Sequence, residues 1–459
     1  MRNKILAPSP YQGEGWGEVL QGFLHSLRCS RYILSLPLRK FNFRMGLSLM
    51  ELKQFGITFL SVWIAAFSGM KAAEAASFSV IADGLNNPRG LTFGPDGSLY
   101  VTEAGTGGSG ACVPSPSVEN QSLYYGTTGA VTKIENGTQK RILTGLPSLA
   151  LSDGSDTSGP QDIKFDATGK PYIAVGYGSN PTFRTRLGNT DLGKIITANF
   201  KTNSWSSVAD LANYELANNP DKGDVISNPF SLLLDGNNIV AVDAGANDLF
   251  SLGTDGSNLN AIATIPRQTL TNPVFPSGAS SSPFEIQPVP TNVAKGPDGA
   301  YYISQLTGFP FPEGKANIYR IGSDGQPTVY TDGFTQLTDL AFDPEGNLYA
   351  LQYANQSLWK GNLDGSVIKI ATDGTRTTIL SGNGLESPTA LTIGADGDIY
   401  VTNRGDRPGL GQVLKIENPK SVPESTSTLS LLALLGTASV TLLPKGKAKR
   451  LKGLPENKL

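Results

Sequence analysis

Five polar residues recur at one position of a repeated segment: Glu103, Asp243, Gln305, Gln352 and Asn403, with Val175 in the remaining copy. Each closes a short run that is otherwise mostly apolar. Carboxylate and amide oxygens gathered from several segments are what Ca²⁺ requires, since it takes six to eight hard oxygen ligands. A metal held in this way can polarise a carbonyl and activate water. Glu103, Asp243 and Asn403 are the candidate calcium ligands. Asp162, Asn292 and Asp339 begin the preceding run in their own copies, and Asp162 or Asp339 is the candidate base. Against this stand Gln305 and Gln352, whose amides lower the negative charge, and the tendency of any polar channel to hold water. Arg404, Tyr177, Phe309, Phe311 and Tyr353 lie near the same ends of the runs. They would suit an aromatic ligand through stacking and cation–π contact, or else pack as an ordinary rim.

Other chemistry is excluded by composition. The chain has 459 residues, a single histidine, His25, and two cysteines, Cys29 and Cys112. His25 and Cys29 precede the repeats, so the repeat region has no Ser-His-Asp or Cys-His arrangement and no histidine metal cage. Cys112 has no partner there for a disulfide. The formal net charge is −2 and the repeat region has no basic patch suited to nucleic acid.

The elements that position these residues are hairpins. Residues 91–105 read LTFGPDGSLYVTEAG and residues 391–405 read LTIGADGDIYVTNRG, identical at nine of fifteen positions. Each has a β-rich run, an Asp-Gly turn and a second run, the signature of a tight hairpin. Weaker copies span 163–178, 232–245, 293–308 and 340–354. The turn glycines are Gly97, Gly169, Gly236, Gly299, Gly346 and Gly397. Third strands are expected at 129–134, 193–197, 248–252, 316–321, 367–370 and 412–416, and fourth strands at 141–144, 328–331 and 377–380. Four antiparallel strands repeated six times give an all-β, six-bladed propeller. The last repeat has no fourth strand of its own. Residues 78–85 resemble 377–385, so the N-terminal strand is expected to complete the last blade and close the ring. One helix is expected at 208–217, capped by Ser206 or Ser207 and packed through Val208, Leu211 and Leu216. Phe309-Pro310-Phe311-Pro312 forms a rigid loop, either a ligand platform or a plug at the channel mouth.

The chain divides into three parts. Residues 1–75 comprise an extension, with the true start expected at Met45 or Met50, and a signal peptide over 50–75. Its 13-residue apolar core and Ala73-Glu74-Ala75 cleavage signal imply export by the general pathway. Residues 76–418 are the propeller. Residues 419–459 contain a polar motif, an apolar run and a basic cluster, a pattern that resembles a PEP-CTERM sorting signal. Sorting or processing machinery is then a partner, and contact with the membrane comes only through the signal peptide and this tail. The expected location is the periplasm, cell surface or extracellular matrix.

The segments LANYELANNPD (211–221), Ser227-Asn228-Pro229, VDAGANDL (242–249) and GPDGAYYISQLTGFPFPEGKANIYR (296–320) resemble the ScyD/ScyE-type secreted propellers of the scytonemin pathway. That resemblance implies a cyanobacterial, extracytoplasmic protein acting in late assembly or export of the pigment. In that pattern Gln305 and Gln352 stand where Glu is common. Related six-bladed lactonases of the gluconolactonase type hold a catalytic metal in such a ring. Two functions therefore compete. One is a non-catalytic binding or assembly factor for a small aromatic ligand or a surface polysaccharide. The other is a calcium-dependent lactonase. A matrix protein acting only through its sorting is a third reading.

Overall fold

The protein was analysed as a computed structural model, which describes residues 77–118 and 120–418. The expected extension, signal peptide, cleavage signal and sorting tail lie outside these residues. Apart from connectors, the described chain forms six four-stranded antiparallel blades, the first with an additional short strand. This is the expected six-bladed β-propeller.

Blade 1 contains Pro88–Phe93, Leu99–Glu103, Ser122–Glu135 and Thr138–Ala150, with Cys112–Pro114 added along Ser122–Glu135. Blade 2 contains Pro160–Phe165, Pro171–Val175, Lys194–Asn199 and Ser204–Asp210. Blade 3 contains Pro229–Asp235, Asn238–Asp243, Asp248–Gly253 and Asn260–Thr264. Blade 4 contains Pro290–Lys295, Tyr301–Gln305, Ala316–Ile321 and Pro327–Phe334. Blade 5 contains Leu337–Phe342, Leu348–Gln352, Asp364–Ile370 and Arg376–Glu386. Blade 6 contains Ala390–Ile393, Ile399–Asn403 and Pro408–Ile416, and its outer strand is the N-terminal Phe78–Asn86. That strand runs antiparallel to Pro408–Ile416, with Phe78 opposite Ile416 and Asn86 opposite Pro408. The two ends of the ring are therefore joined by hydrogen bonds within one sheet.

The Asp-Gly hairpins form because the turn glycines take positive φ, from 62° at Gly236 to 85° at Gly169 and Gly346. A side chain is strained in that region, and glycine is not. In three blades the turn aspartate is also gripped by a tyrosine four residues on. Tyr100, Tyr302 and Tyr400 donate to Asp96, Asp298 and Asp396 at 3.0, 3.2 and 2.9 Å. Lys133, Arg320 and Lys415 from the third strands reach the same carboxylates.

The core is divided among six seams between neighbouring blades. The seam between blades 2 and 3 packs Tyr172, Ala174 and Ile195 against Leu232, Ala241 and Phe250. The seam between blades 5 and 6 packs Tyr349, Leu351 and Val367 against Leu391, Ile399 and Val401. Each blade is thus covered on both faces. Consequently the second strands Leu99–Glu103, Pro171–Val175 and Leu348–Gln352 are buried along their whole length. Only the innermost strand of a blade borders the axis.

The helix departs from expectation. It spans Leu211–Asn218 and is capped by Asp210, whose side chain accepts from Asn213 N at 2.9 Å. Ser206, Ser207 and Val208 belong instead to the outer strand of blade 2, where Ser206 and Ser207 lie opposite Thr197 and Ile196. Sheet pairing outweighs the capping tendency of those serines. Leu211 is buried, but Leu216 faces solvent and Glu215 is buried in its stead.

Candidate functional site

The polar residues that end the second strands do not point at the axis. The faces of a blade look at its neighbours, so a second-strand side chain lies within a seam. Each of the five polar residues binds within its own blade, the connector entering it, or the end of the outer strand that leads into it. Glu103 accepts from Asn86 N at 2.8 Å, Thr132 Oγ1 at 2.6 Å and Arg141 Nε and Nη2 at 2.9 and 2.6 Å. Asp243 accepts from Ser227 Oγ and Asn228 N, both at 2.6 Å, and from Gly245 N and Ala246 N, both at 3.0 Å. Burial pushes the Asp243 carboxyl up, and these four donors oppose the shift. Gln305 accepts from Gln268 Nε2 at 2.8 Å and Asn317 N at 3.0 Å. Gln352 accepts from Thr335 N at 2.7 Å, and Asn403 accepts from Glu386 N at 2.8 Å.

These side chains have one shared task. Asn86 and Glu386 end the outer strand from which the chain passes into the blade, and Asn228, Gln268 and Thr335 lie in the connector before it. The polar residue fastens this leading segment to the end of the second strand. The expectation that equivalent second-strand residues converge on the channel is corrected by this geometry. Among the described residues, no three His, Cys, Asp or Glu side chains are grouped to hold a metal.

The axis is bordered by the starts of the innermost strands. Its six equivalent positions are Gly90, Asp162, Ser231, Asn292, Asp339 and Ala390. Asp162, Asn292 and Asp339 therefore do line the channel. The space between them is about 10 Å³, close to what one water molecule needs. Their polar atoms connect neighbouring blades. Asp162 accepts from Ile163 N at 2.8 Å, Lys164 Nζ at 2.7 Å, Ser231 Oγ at 3.2 Å and Leu232 N at 3.0 Å. Asn292 Nδ2 donates to Ser231 Oγ at 3.2 Å, while its Oδ1 is buried without a partner. Asp339 accepts from Leu340 N and Leu391 N, both at 2.7 Å. Burial pushes the Asp339 carboxyl up to about 7; Lys164 opposes the shift and Asp162 adds to it. Alongside, Thr291, Thr338 and Thr389 each donate to a carbonyl of the next blade, at 2.9, 3.1 and 2.8 Å.

At the end of the channel away from the Asp-Gly turns lies a cluster of mixed charge. Arg89 Nη1 donates to Gly405 O at 2.7 Å and Nη2 to Thr157 O at 3.0 Å, while Nε is buried without a partner. Burial lowers its pKa, and Tyr353, Asp406 and Asp156 act in the opposite direction. The Tyr353 hydroxyl is raised, first by burial and then by Asp406. Glu386 Oε2 receives Arg407 Nη1 at 2.6 Å and Arg404 Nε at 3.2 Å. Asp406 Oδ1 is buried and accepts no hydrogen bond. Sequence reasoning found Arg404 and Tyr353 here and missed Arg89 and Arg407. Aligning the innermost strands exposes Arg89 at once: its equivalents are Gln161, Phe230, Thr291, Thr338 and Thr389, all uncharged.

The remaining expected aromatics serve packing. Tyr177 is fully buried, with its hydroxyl donating to Asn180 O at 3.2 Å. Phe309 stands 5.7 Å from Phe275 and 6.1 Å from Phe311, ring centre to ring centre. Trp359 Nε1 donates to Pro310 O at 3.0 Å, and Glu313 pairs with Lys360 at 2.7 Å. The Phe-Pro-Phe-Pro segment is thus packed against the connector before blade 4 and a loop of blade 5.

Fold and site together define a closed six-bladed propeller with a braced axis and a charged mouth. No protein-family model and no curated protein matches the sequence. Solved structures of similar fold include a streptogramin B lyase, at 13% identity, covering 75% of this chain and all of that one, with a TM-score of 0.41. Virginiamycin B lyase from Staphylococcus aureus is 11% identical over 75% of this chain and 99% of its own, with a TM-score of 0.42. A putative gluconolactonase is 13% identical over 76% of this chain and 94% of its own, with a TM-score of 0.43. Similarity at this level concerns the fold alone.

Proposed function

We propose that the protein is a non-catalytic binding or assembly propeller working outside the cytoplasm, of the ScyD/ScyE type, with an acidic aromatic ligand taken at the channel mouth. The single observation that carries this reading is the commitment of the ring residues. Glu103, Asp243, Gln305, Gln352 and Asn403 already accept donors from the segments that lead into their blades. An axis of about 10 Å³ has no room for an organic substrate. The mouth offers Arg89, Arg404, Arg407 and Tyr353, which together suit a polyphenolic acid through charge, stacking and cation–π contact. A surface polysaccharide is the other ligand class, through the same hydroxyl and guanidinium donors. In this reading the leader exports the chain, and the tail over 419–459 engages sorting machinery and sets its place at the cell surface. A link to scytonemin-type pigment assembly in a cyanobacterium belongs to the same proposal.

The calcium-dependent lactonase remains as the alternative, and one observation favours it. Asp339 is held at about 7, the range of an effective general base. Its two oxygens already accept backbone N–H groups, and a base would have to release one. Calorimetric titration with a soluble polyphenolic acid tests the first reading. Saturable binding that weakens in Arg407→Gln supports it. Metal-dependent turnover of a lactone, lost in a folded Asp339→Asn variant, would replace it.

A further inference from the structure

The helix Leu211–Asn218 turns a carboxylate inward where an apolar residue would be expected. Glu215 is 0% exposed, while its neighbour Leu216 is 44% exposed. Neither Glu215 oxygen has a hydrogen-bond partner. A buried carboxyl in that state calls for a proton, a donor or a cation.

Its surroundings add negative charge. Asp248 is also 0% exposed; one oxygen accepts from Thr264 Oγ1 at 2.5 Å and the other, Oδ2, is unpartnered. Asn219 caps the helix end, and its Oδ1 is buried and unpartnered while Nδ2 donates to Gly223 O at 3.0 Å. Asp221 accepts from Gly223 N at 2.7 Å and Asn247 Nδ2 at 2.8 Å. Arg267 meets Asp221 at 3.4 Å. Glu215 is pushed up to about 8, by burial first and then by Asp243, Asp221 and Asp248. Asp248 is pushed up to about 7 by burial, Asp221 and Asp243, with Thr264 opposing. The free oxygens here come from two carboxylates and one amide, all hard donors.

We propose that Glu215 and Asp248, with the Asn219 amide oxygen, ligate a divalent cation of the calcium class. Two carboxylates supply up to four oxygens, and Asn219 with water can complete a sphere of six to eight. The ion would tie the connector between blades 2 and 3 to the start of the third strand of blade 3. This site shares no ligand with the ring of Glu103, Asp243 and Asn403. It also stands independently of the ligand proposed for the mouth.

The test uses the protein stripped with EDTA and then titrated with CaCl₂, by calorimetry and by thermal melting. At a hundredfold excess over Kd, the melting temperature is expected to rise by about 4 °C for a ring of this size. The rise should vanish in Glu215→Gln and in Asp248→Asn and persist in Glu103→Gln. In EDTA at pH 8 or above, Glu215→Gln should melt higher than the unaltered protein, because it removes an uncompensated charge. No calcium binding by calorimetry, or a calcium shift that survives both Glu215→Gln and Asp248→Asn, would overturn the proposal. The first outcome would leave Glu215 as a protonated buried acid.

Discussion

Glu103 and Arg141 form a two-point ion pair, with Nε to Oε1 at 2.9 Å and Nη2 to Oε2 at 2.6 Å, between the second and fourth strands of blade 1. The Glu103 side chain is fully buried and the Arg141 side chain is 43% exposed. Removing the arginine leaves a buried charge without its main partner. Arg141→Met is therefore expected to destabilise the protein by about 3 kcal/mol, the low end for a broken buried pair because one partner reaches solvent. Urea unfolding measures this. A change below about 0.5 kcal/mol would mean that the pair does not brace the blade.

Asp339 sets an expected pH dependence. Its folded-state pKa, about 7, lies above the ordinary aspartate value near 3.9. Between these values the native state binds more protons than the unfolded chain, so this group's contribution to stability falls as pH rises from about 4 to about 7. Melting temperature should decline over that window, and Asp339→Asn should flatten the part due to this residue. Melts at pH 5 and pH 8 on both proteins decide the matter. Equal slopes would show that Asp339 ionises normally.

Gly90 is required by a close approach of two blades. A Cβ there would meet Asp162 Cα and Oδ1, each at 2.6 Å. The backbone of a neighbouring strand cannot yield as a flexible side chain can. Gly90→Ala should cost about 1–3 kcal/mol, the usual penalty of overpacking, while Ala390→Gly at the equivalent position of blade 6 should cost less. Thermal melts of the two variants make the comparison.

The propeller was legible because its hairpins are local. Asp-Gly turns, period-2 runs and the resemblance of 78–85 to 377–385 gave six blades and the strand that closes them. The site was less legible, for a reason of geometry. Alternation shows that Glu103, Asp243 and Asn403 share a face, but not that this face is a seam rather than the axis. Asp162, Asn292 and Asp339 begin innermost strands, and in the structure they border the axial space. Glu215 could not be read at all. The spacing of Leu211 and Leu216 suggests an apolar stripe, and only the docking of the helix shows that the carboxylate is the buried member.

Arg404 and Arg407 share Glu386 at the mouth, each about a third exposed. Their replacement should spare the fold, because this ion pair is partly solvated and contributes little to stability. Arg404→Gln and Arg407→Gln are each expected to shift the melting temperature by no more than about 1 °C. Circular dichroism melts test that separation of stability from binding.

The proposed role of the mouth is to bind an acidic aromatic ligand without transforming it. The most direct measurement is a calorimetric titration of the protein with a soluble polyphenolic acid, followed by recovery of the compound. Saturable heat, intact compound and about tenfold weaker binding in the Arg404→Gln/Arg407→Gln double variant are the expected result, tenfold being about 1.4 kcal/mol and within the range of lost cation–π contacts. Absence of binding, or recovery of a cleaved product whose formation stops in Asp339→Asn, would contradict the account.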